Sequence, residues 1–280
     1  MNLTIEKEEK DIRQCNDTEG IERFRSFMAS AGGMKYVTKE IFSGSHLEVA
    51  VYPDFESGGT KKSHTQKKKT AQQNKITNLI KAKKECKRLI FSNFSKDDHY
   101  ITLTFRPSSL PRSLQEASSM MRNFFRRVNY DLKKKGAPSA KYIYVIEGGE
   151  GSEIRFHYHM ITDTPIALIR KHWIYGIFRY DTLDTRCGRI DDLSNYFLKQ
   201  ERAKYEKKWY SSQNLQKSEV VKSRKITNRQ MWHMERNHNA VEDCIKELYA
   251  YDGYQMTEFE LKENKVNHYY YLSVELNKNK

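Results

Sequence analysis

Alternating apolar and polar residues mark the middle of the chain as a series of short strands. In HYITLTF, the residues Ile101, Leu103 and Phe105 fall on one face of a strand, and Tyr and Thr residues fall on the other. KYIYVIE and RFHYHMI predict two further strands, and the glycine-rich segment Gly148 to Ser152 joins them as a hairpin. Residues 175–180 supply a fourth strand.

Helical spacing follows the first and the third of these strands. Ser113 and Glu116 form a capping-box signature, after which apolar residues recur on one helical face as far as Val128. Gly136 is a stop signal for this helix. Pro165 is placed where the next helix can begin.

The order strand, helix, strand, strand, helix, strand predicts an α+β fold. It is the order of a split βαβ, or ferredoxin-like, unit, in which an antiparallel sheet carries helices on one face and leaves the other open for a ligand. We expect this core over residues 93–215. A basic N-terminal extension over 1–92 contains a hairpin around Ser43-Gly44-Ser45 and a helix over KITNLIKAKKECKRLIF, and an α/β extension occupies 216–280.

Two more predictions concern the chain after the fourth strand. Asp191 or Asp192 is expected to cap a helix over DDLSNYFLKQERAKYEKKW. In the C-terminal extension, the pattern indicates a helix over Ala240 to Leu248, a strand around Glu258 and another over Tyr269 to Leu276.

Charge changes this picture by pointing to a partner. The 280 residues include 50 Lys and Arg against 36 Asp and Glu, a formal net charge of +14. Such an excess favours a polyanionic partner, and nucleic acid is the simplest. Mean hydropathy is -0.86 and no run of about 18 apolar residues occurs, so we expect a cytoplasmic protein without a membrane span.

Several other classes of site are excluded by missing motifs. Four cysteines, Cys15, Cys86, Cys187 and Cys244, lack C-x-x-C spacing, which argues against a disulfide framework and a thiolate zinc site. The phosphate-loop pattern G-x-x-x-x-G-K-[ST] is absent, so the chain encodes no motor driven by nucleotide hydrolysis.

A pair of histidines suggests a metal site. His157 and His159 are two positions apart on a predicted strand, so both imidazoles project from one face, with their Cα atoms about 6 to 7 Å apart. The flanking apolar residues face the opposite side, which leaves the histidine face for a ligand. Glu147, at the end of the preceding strand, is our choice of third ligand for a divalent ion, Mn²⁺ or Mg²⁺. Glu150 and Glu153 are rivals, because a shift in hairpin register exchanges them.

Tyr196 and Lys199 form a second candidate pair. Positions i and i+3 on a helix bring a phenol and an ammonium group to the same side. The cation can favour the phenolate or stabilise the charge that develops on phosphorus during attack. The alternative is a packing role for Tyr196.

Taken in order, HYITLTF, VIEGGEGSEIRFHYHMI and DDLSNYFLKQ resemble the three motifs of the HUH endonucleases, in particular the rolling-circle replication initiators of small phages and plasmids. The resemblance covers residues 96–205. It implies that His157 and His159 bind a divalent metal with Glu147 as third ligand. It also implies that Tyr196 attacks DNA to leave a 5′-phosphotyrosine and a free 3′-hydroxyl, assisted by Lys199.

The resemblance departs from the pattern at one point. Some initiators carry a second catalytic tyrosine a short step along the helix, whereas this chain has Lys199 there and the next tyrosine is Tyr205. We therefore expect a single-tyrosine enzyme.

We expect its function to be site-specific nicking and joining of single-stranded origin DNA, with a separate host helicase as partner. The alternatives are an HUH transposase or relaxase, which share the chemistry, and a non-catalytic RNA-binding module, which forms no covalent adduct.

Overall fold

The computed structural model describes residues 34–55, 70–149, 153–198, 209–265 and 267–278. These residues form ten strands and six α-helices. The strands are β1 (Met34–Ser43), β2 (His46–Phe55), β3 (His99–Thr104), β4 (Tyr142–Glu147), β5 (His157–Thr162), β6 (Phe178–Thr182), β7 (Tyr210–Ser211), β8 (Glu219–Ser223), β9 (Tyr254–Glu263) and β10 (Tyr270–Lys278). The helices are α1 (Ala71–Asn93), α2 (Leu114–Lys134), α3 (Ile166–His172), α4 (Cys187–Phe197), α5 (Asn228–Arg236) and α6 (Ala240–Tyr249).

The chain divides into two compact units. The central unit comprises residues 43–46 and 68–218, and the terminal unit comprises residues 1–42, 47–67 and 219–280. Each unit has one five-stranded antiparallel sheet. The α+β class is therefore confirmed, whereas the division at residues 92 and 215 stays a prediction.

The sheet of the central unit has the strand order β6-β3-β5-β4-β7. Strand β5 lies between β3 and β4 and is antiparallel to both, so the helix α2 connects two strands that are not neighbours. This is the ferredoxin-like arrangement that the order of elements predicted. The short strand β7 extends the sheet beyond β4.

One face of this sheet packs against α2 and α3. Apolar side chains of β3 and β5, such as Ile101 and Met160, share a buried cluster with Phe124 of α2 and Ile169 of α3. Ser113 caps α2, as predicted, and its side chain accepts a hydrogen bond from the Glu116 amide. The position of both helices on one face follows from the alternation of apolar residues along the strands.

The opposite face is covered in part, which the sequence did not predict. The helices α1 and α4 pack there against Ile143 and Val145 of β4 and Ile161 of β5. Lys87 of α1 and Asp191 of α4 form an ion pair with an Nζ to Oδ1 distance of 2.7 Å. The rest of this face remains available for a ligand.

The predicted start of α4 is wrong. The helix begins at Cys187 with Arg186 as N-cap residue, so Asp191 and Asp192 lie inside it rather than at its cap. The Asp191 carboxylate contacts Lys87 instead. The second half of the predicted helix, residues 199–208, lies outside the described residues.

The terminal unit joins distant parts of the chain. Its strand order is β8-β1-β2-β10-β9, and β1 pairs with β8 so that Thr38 lies opposite Ser223. The predicted hairpin of β1 and β2, the helix α6 and the strands β9 and β10 are confirmed. Strand β8 and helix α5 were not predicted. Within the described ranges, no helix is long and apolar enough to cross a membrane.

A buried tyrosine tests how β5 is anchored. The Tyr158 side chain is fully buried, and its hydroxyl donates a 2.8 Å hydrogen bond to the carbonyl oxygen of Ala117. We predict that Tyr158→Phe lowers the free energy of unfolding in urea by about 1 kcal/mol, because a buried hydrogen bond is lost with little change in volume. The control Tyr130→Phe removes the hydroxyl of a tyrosine that is 60% exposed and should change it little. An equal loss in both variants would contradict this anchoring.

Candidate active site

The two histidines of β5 project from the partly open face of the central sheet. His157 and His159 alternate with Tyr158 and Met160, which are buried on the opposite face. The two imidazole rings lie 4.8 Å apart between centroids. The pleat of β5 therefore fixes both rings on one side, as the sequence predicted.

Glu147 completes a three-residue cluster with them. It lies directly opposite His157 in the pairing of β4 with β5. Its Oε2 atom is 3.4 Å from Nε2 of His157 and 3.6 Å from Nε2 of His159. The next residue, Gly148, has a φ of +78°, and a Cβ atom there would lie 2.5 Å from the carbonyl oxygen of Arg155. Only glycine suits this turn directly after the carboxylate.

Hydrogen bonds orient both rings toward the carboxylate. Nδ1 of His157 is 3.0 Å from the carbonyl oxygen of Arg155, and that oxygen can only accept. Nδ1 of His159 is 2.7 Å from the Tyr100 hydroxyl and 3.3 Å from the Thr102 hydroxyl. With Nδ1 engaged in each ring, the two Nε2 atoms are directed at Glu147.

These three residues fit a metal ion. Their ligand atoms all lie within 4.8 Å of one another. Two imidazole nitrogens and a carboxylate oxygen are ligands that divalent transition metals accept, and bonds of about 2 Å require ligand atoms about 3 to 3.5 Å apart. The Nε2 to Oε2 distances are close to that range. The cluster could therefore hold a divalent metal ion.

The cluster is also coupled electrostatically. Burial opposes ionisation of Glu147, but the hydrogen bonds from His157 and His159 outweigh it and lower the pKa of this carboxyl to about 2. The hydrogen bond to Glu147 in turn raises the pKa of His157. At neutral pH the carboxylate is thus ionised, as a metal ligand must be.

Tyr196 of α4 reaches this cluster. Its hydroxyl is 2.9 Å from Nε2 of His159 and 3.3 Å from Oε2 of Glu147. The side chain is 36% exposed. Burial and the negative charge of Glu147 raise the pKa of Tyr196, so its hydroxyl is protonated at neutral pH.

Other candidate residues lie elsewhere. Glu153 is exposed and is not part of the cluster, and Glu150, Lys199 and Tyr205 lie outside the described residues. Tyr210 stacks on Tyr144, which packs on the other face of the sheet.

The contacts of Tyr100 and Thr102 with His159 were not predicted. The alternation in HYITLTF already placed these polar residues on one face of β3. Their contact with His159 depends on the pairing of β3 with β5, which puts Thr102 directly opposite that histidine. Register between strands that are distant in sequence cannot be counted out from one strand alone.

Comparison with known proteins adds a family to this geometry. Residues 98–252 match the model of a family described as replication-associated protein ORF2. No curated protein and no solved structure matches the chain significantly. The matched residues contain β3, β5 and α4, the elements that carry the cluster and Tyr196, and they span more than half of the chain. The chain therefore belongs to this family of replication-associated proteins.

Proposed function

We propose that this protein is an HUH endonuclease of the rolling-circle type, which nicks and rejoins single-stranded DNA at a replication origin through a 5′-phosphotyrosine. One observation carries the proposal. The Tyr196 hydroxyl lies 2.9 Å from Nε2 of His159, beside a cluster that could hold a metal ion. A packing residue would have no need of an ionisable neighbourhood, whereas a nucleophile must lie next to the group that binds the scissile phosphate.

The metal would be held by Nε2 of His157, Nε2 of His159 and a carboxylate oxygen of Glu147. When bound, a divalent ion such as Mn²⁺ or Mg²⁺ supplies Lewis-acid polarisation of the scissile phosphate and places its oxygens for attack. The hydrogen bonds at the two Nδ1 atoms would hold the rings in the tautomer that leaves Nε2 free to coordinate.

The phenol of Tyr196 would be the nucleophile. Its oxygen forms a bond to phosphorus, the bond from phosphorus to the 3′ oxygen breaks, and the 3′ oxygen takes up a proton. Because its pKa is raised, the phenol must lose its proton during attack. The nearest acceptors are Glu147 and His159. Lys199, beyond the end of α4, would stabilise the developing negative charge.

The tyrosine ester keeps the energy of the broken phosphodiester bond, so rejoining would require no nucleotide hydrolysis. This is consistent with the absence of a phosphate-loop motif. Unwinding of the origin would then depend on a separate helicase. Membership of a replication-associated family favours replication over transposition as the setting for this chemistry.

The distribution of charge supports a nucleic-acid substrate for the central unit. Among the described residues, this unit has 23 Lys and Arg against 12 Asp and Glu, whereas the terminal unit has 11 against 13. The basic excess thus belongs to the unit that contains Tyr196 and the histidines. Phosphate contacts from these cations would contribute most of the sequence-independent affinity for single-stranded DNA.

The first prediction concerns metal binding. The double variant His157→Ala, His159→Ala should lower the affinity for Mn²⁺ at least about a hundredfold in calorimetric titrations, because two of three protein ligands are lost. Native affinity should fall as the pH is lowered from about 7.5 to about 5.5. Protons then occupy His157, whose pKa is raised, and compete with the metal.

A matched control uses two exposed histidines of the terminal unit, in the double variant His233→Ala, His238→Ala. This control should bind Mn²⁺ like the native protein. Native affinity in the β5 variant, with its circular dichroism unchanged, would refute the metal site.

The second prediction concerns the orientation of His159. Tyr100→Phe keeps the ring that stacks on His159 but removes the oxygen 2.7 Å from Nδ1. We expect Mn²⁺ affinity to fall roughly tenfold, in the range seen when a residue that orients a metal ligand is lost. Thr102→Val, which removes the more distant contact of 3.3 Å, should have a smaller effect. Unchanged affinity in Tyr100→Phe would mean that this hydroxyl does not orient the ligand.

The third prediction concerns the nucleophile. Tyr196→Phe should abolish covalent adducts with single-stranded oligonucleotides in Mn²⁺, assayed by denaturing electrophoresis of a labelled library, because the attacking oxygen is gone. Single-stranded DNA binding should persist. Lys199→Ala should reduce the cleavage rate about tenfold to a thousandfold, since it removes only electrostatic assistance.

The matched control for the nucleophile is Tyr251→Phe, which changes a tyrosine that is 99% exposed in the terminal unit. This variant should form adducts at the native rate. Adducts that persist at the native level in Tyr196→Phe would exclude Tyr196 as the nucleophile.

A further inference from the structure

The candidate site continues across the sheet toward its edge. Thr102 lies opposite His159 on one side and opposite Arg179 of β6 on the other. In the neighbouring row, Thr104 lies opposite His157, and its amide donates a 2.9 Å hydrogen bond to the carbonyl oxygen of Ile177. Residues that lie opposite each other in a sheet project from the same face. Arg179 and Ile177 therefore share the face of the two histidines.

Neither residue has a role inside the described part of the chain. The Ile177 side chain is 67% exposed, although isoleucine is among the residues most often buried. Arg179 is exposed, and its guanidinium makes no hydrogen bond or ion pair with any described residue. An apolar surface beside an unpaired cation suits a ligand that carries both bases and phosphates.

The layout of the face gives this ligand a direction. On the β4 side of the histidines, the face is covered by α1 and α4, and the hydroxyl of Tyr196 contacts Glu147 there. On the other side, the described strands of this sheet are β3 and the edge strand β6. The floor there consists of two threonines, Thr102 and Thr104, whose side chains are small.

We propose that single-stranded DNA leaves the candidate site across β3 and the edge strand β6, where Arg179 binds a backbone phosphate and Ile177 contacts a base. This inference rests on the proposed function, because it takes the scissile phosphate to lie at the histidine cluster. Two strand spacings separate the Cα atoms of His159 and Arg179 by about 10 Å. The long arginine side chain thus reaches a phosphate close to the scissile one.

The charge of β6 limits this surface to one end of the strand. Asp181, two residues after Arg179, lies opposite Tyr100 and is exposed on the same face. A carboxylate there would repel a phosphate backbone. The DNA path therefore crosses β6 at Ile177 and Arg179 and does not run along the strand.

The test measures binding without cleavage. The probe is a fluorescein-labelled oligothymidylate of about 20 nucleotides, titrated in EDTA at several salt concentrations and followed by fluorescence anisotropy. Arg179→Gln should weaken binding about threefold to tenfold and reduce the salt dependence by about 0.7 in the slope of log K against log salt, the loss of one phosphate contact. Ile177→Ala should weaken binding without changing that slope, because it removes an apolar contact and no charge.

The matched control is Arg170→Gln. Arg170 is also exposed, forms no hydrogen bond or ion pair with the described residues, and belongs to α3, which packs on the opposite face of the sheet. This variant should bind the oligothymidylate like the native protein. Native affinity in Arg179→Gln, or an equal loss in Arg170→Gln, would overturn the proposed path.

The two proposals fail in different ways. If no oligonucleotide forms an adduct with the native protein but Arg179→Gln still loses oligothymidylate affinity selectively, the nuclease assignment fails and the binding surface stands. If adducts form through Tyr196 but Arg179→Gln binds the oligothymidylate normally, the path across β6 is wrong and the nuclease assignment stands.

Discussion

The candidate site depends on the alternation of side chains along β5. Tyr158 and Met160 are buried against α2 and α3, so His157 and His159 must project from the other face. A shift of one residue in the register of β5 would bury both imidazoles and expose two large apolar side chains. Burial on one face thus holds a potentially metal-binding pair in place on the other, without a dedicated scaffold.

The helices α1 and α4 add the second constraint. They cover the β4 side of the histidine face, and their packing brings the Tyr196 hydroxyl to His159 and Glu147. The same packing leaves the β3 and β6 side uncovered. Nucleophile, metal ligands and the proposed DNA path therefore follow from one asymmetry, in which helices cover half of a sheet face. The basic excess of the central unit accords with that division.

Much of the central unit was predictable because its information is local. Alternation in β3, β4 and β5 and the capping of α2 by Ser113 are visible within a few residues. The start of α4 was not, because Asp191 looks like a cap in sequence but contacts Lys87, which is distant along the chain. The hydrogen bond from Tyr100 to His159 likewise depends on strand register. The pairing of β1 with β8 joins segments that flank the central unit in sequence, which no local pattern reveals.

The central claim is that Tyr196 becomes covalently joined to DNA. The most direct measurement is mass spectrometry of the tryptic peptides from an adduct formed with single-stranded DNA in Mn²⁺. The account predicts one modified peptide, with a 5′-phosphate linked to Tyr196 and a free 3′-hydroxyl on the released strand. Attachment at Tyr205, Tyr210 or any other tyrosine would contradict it.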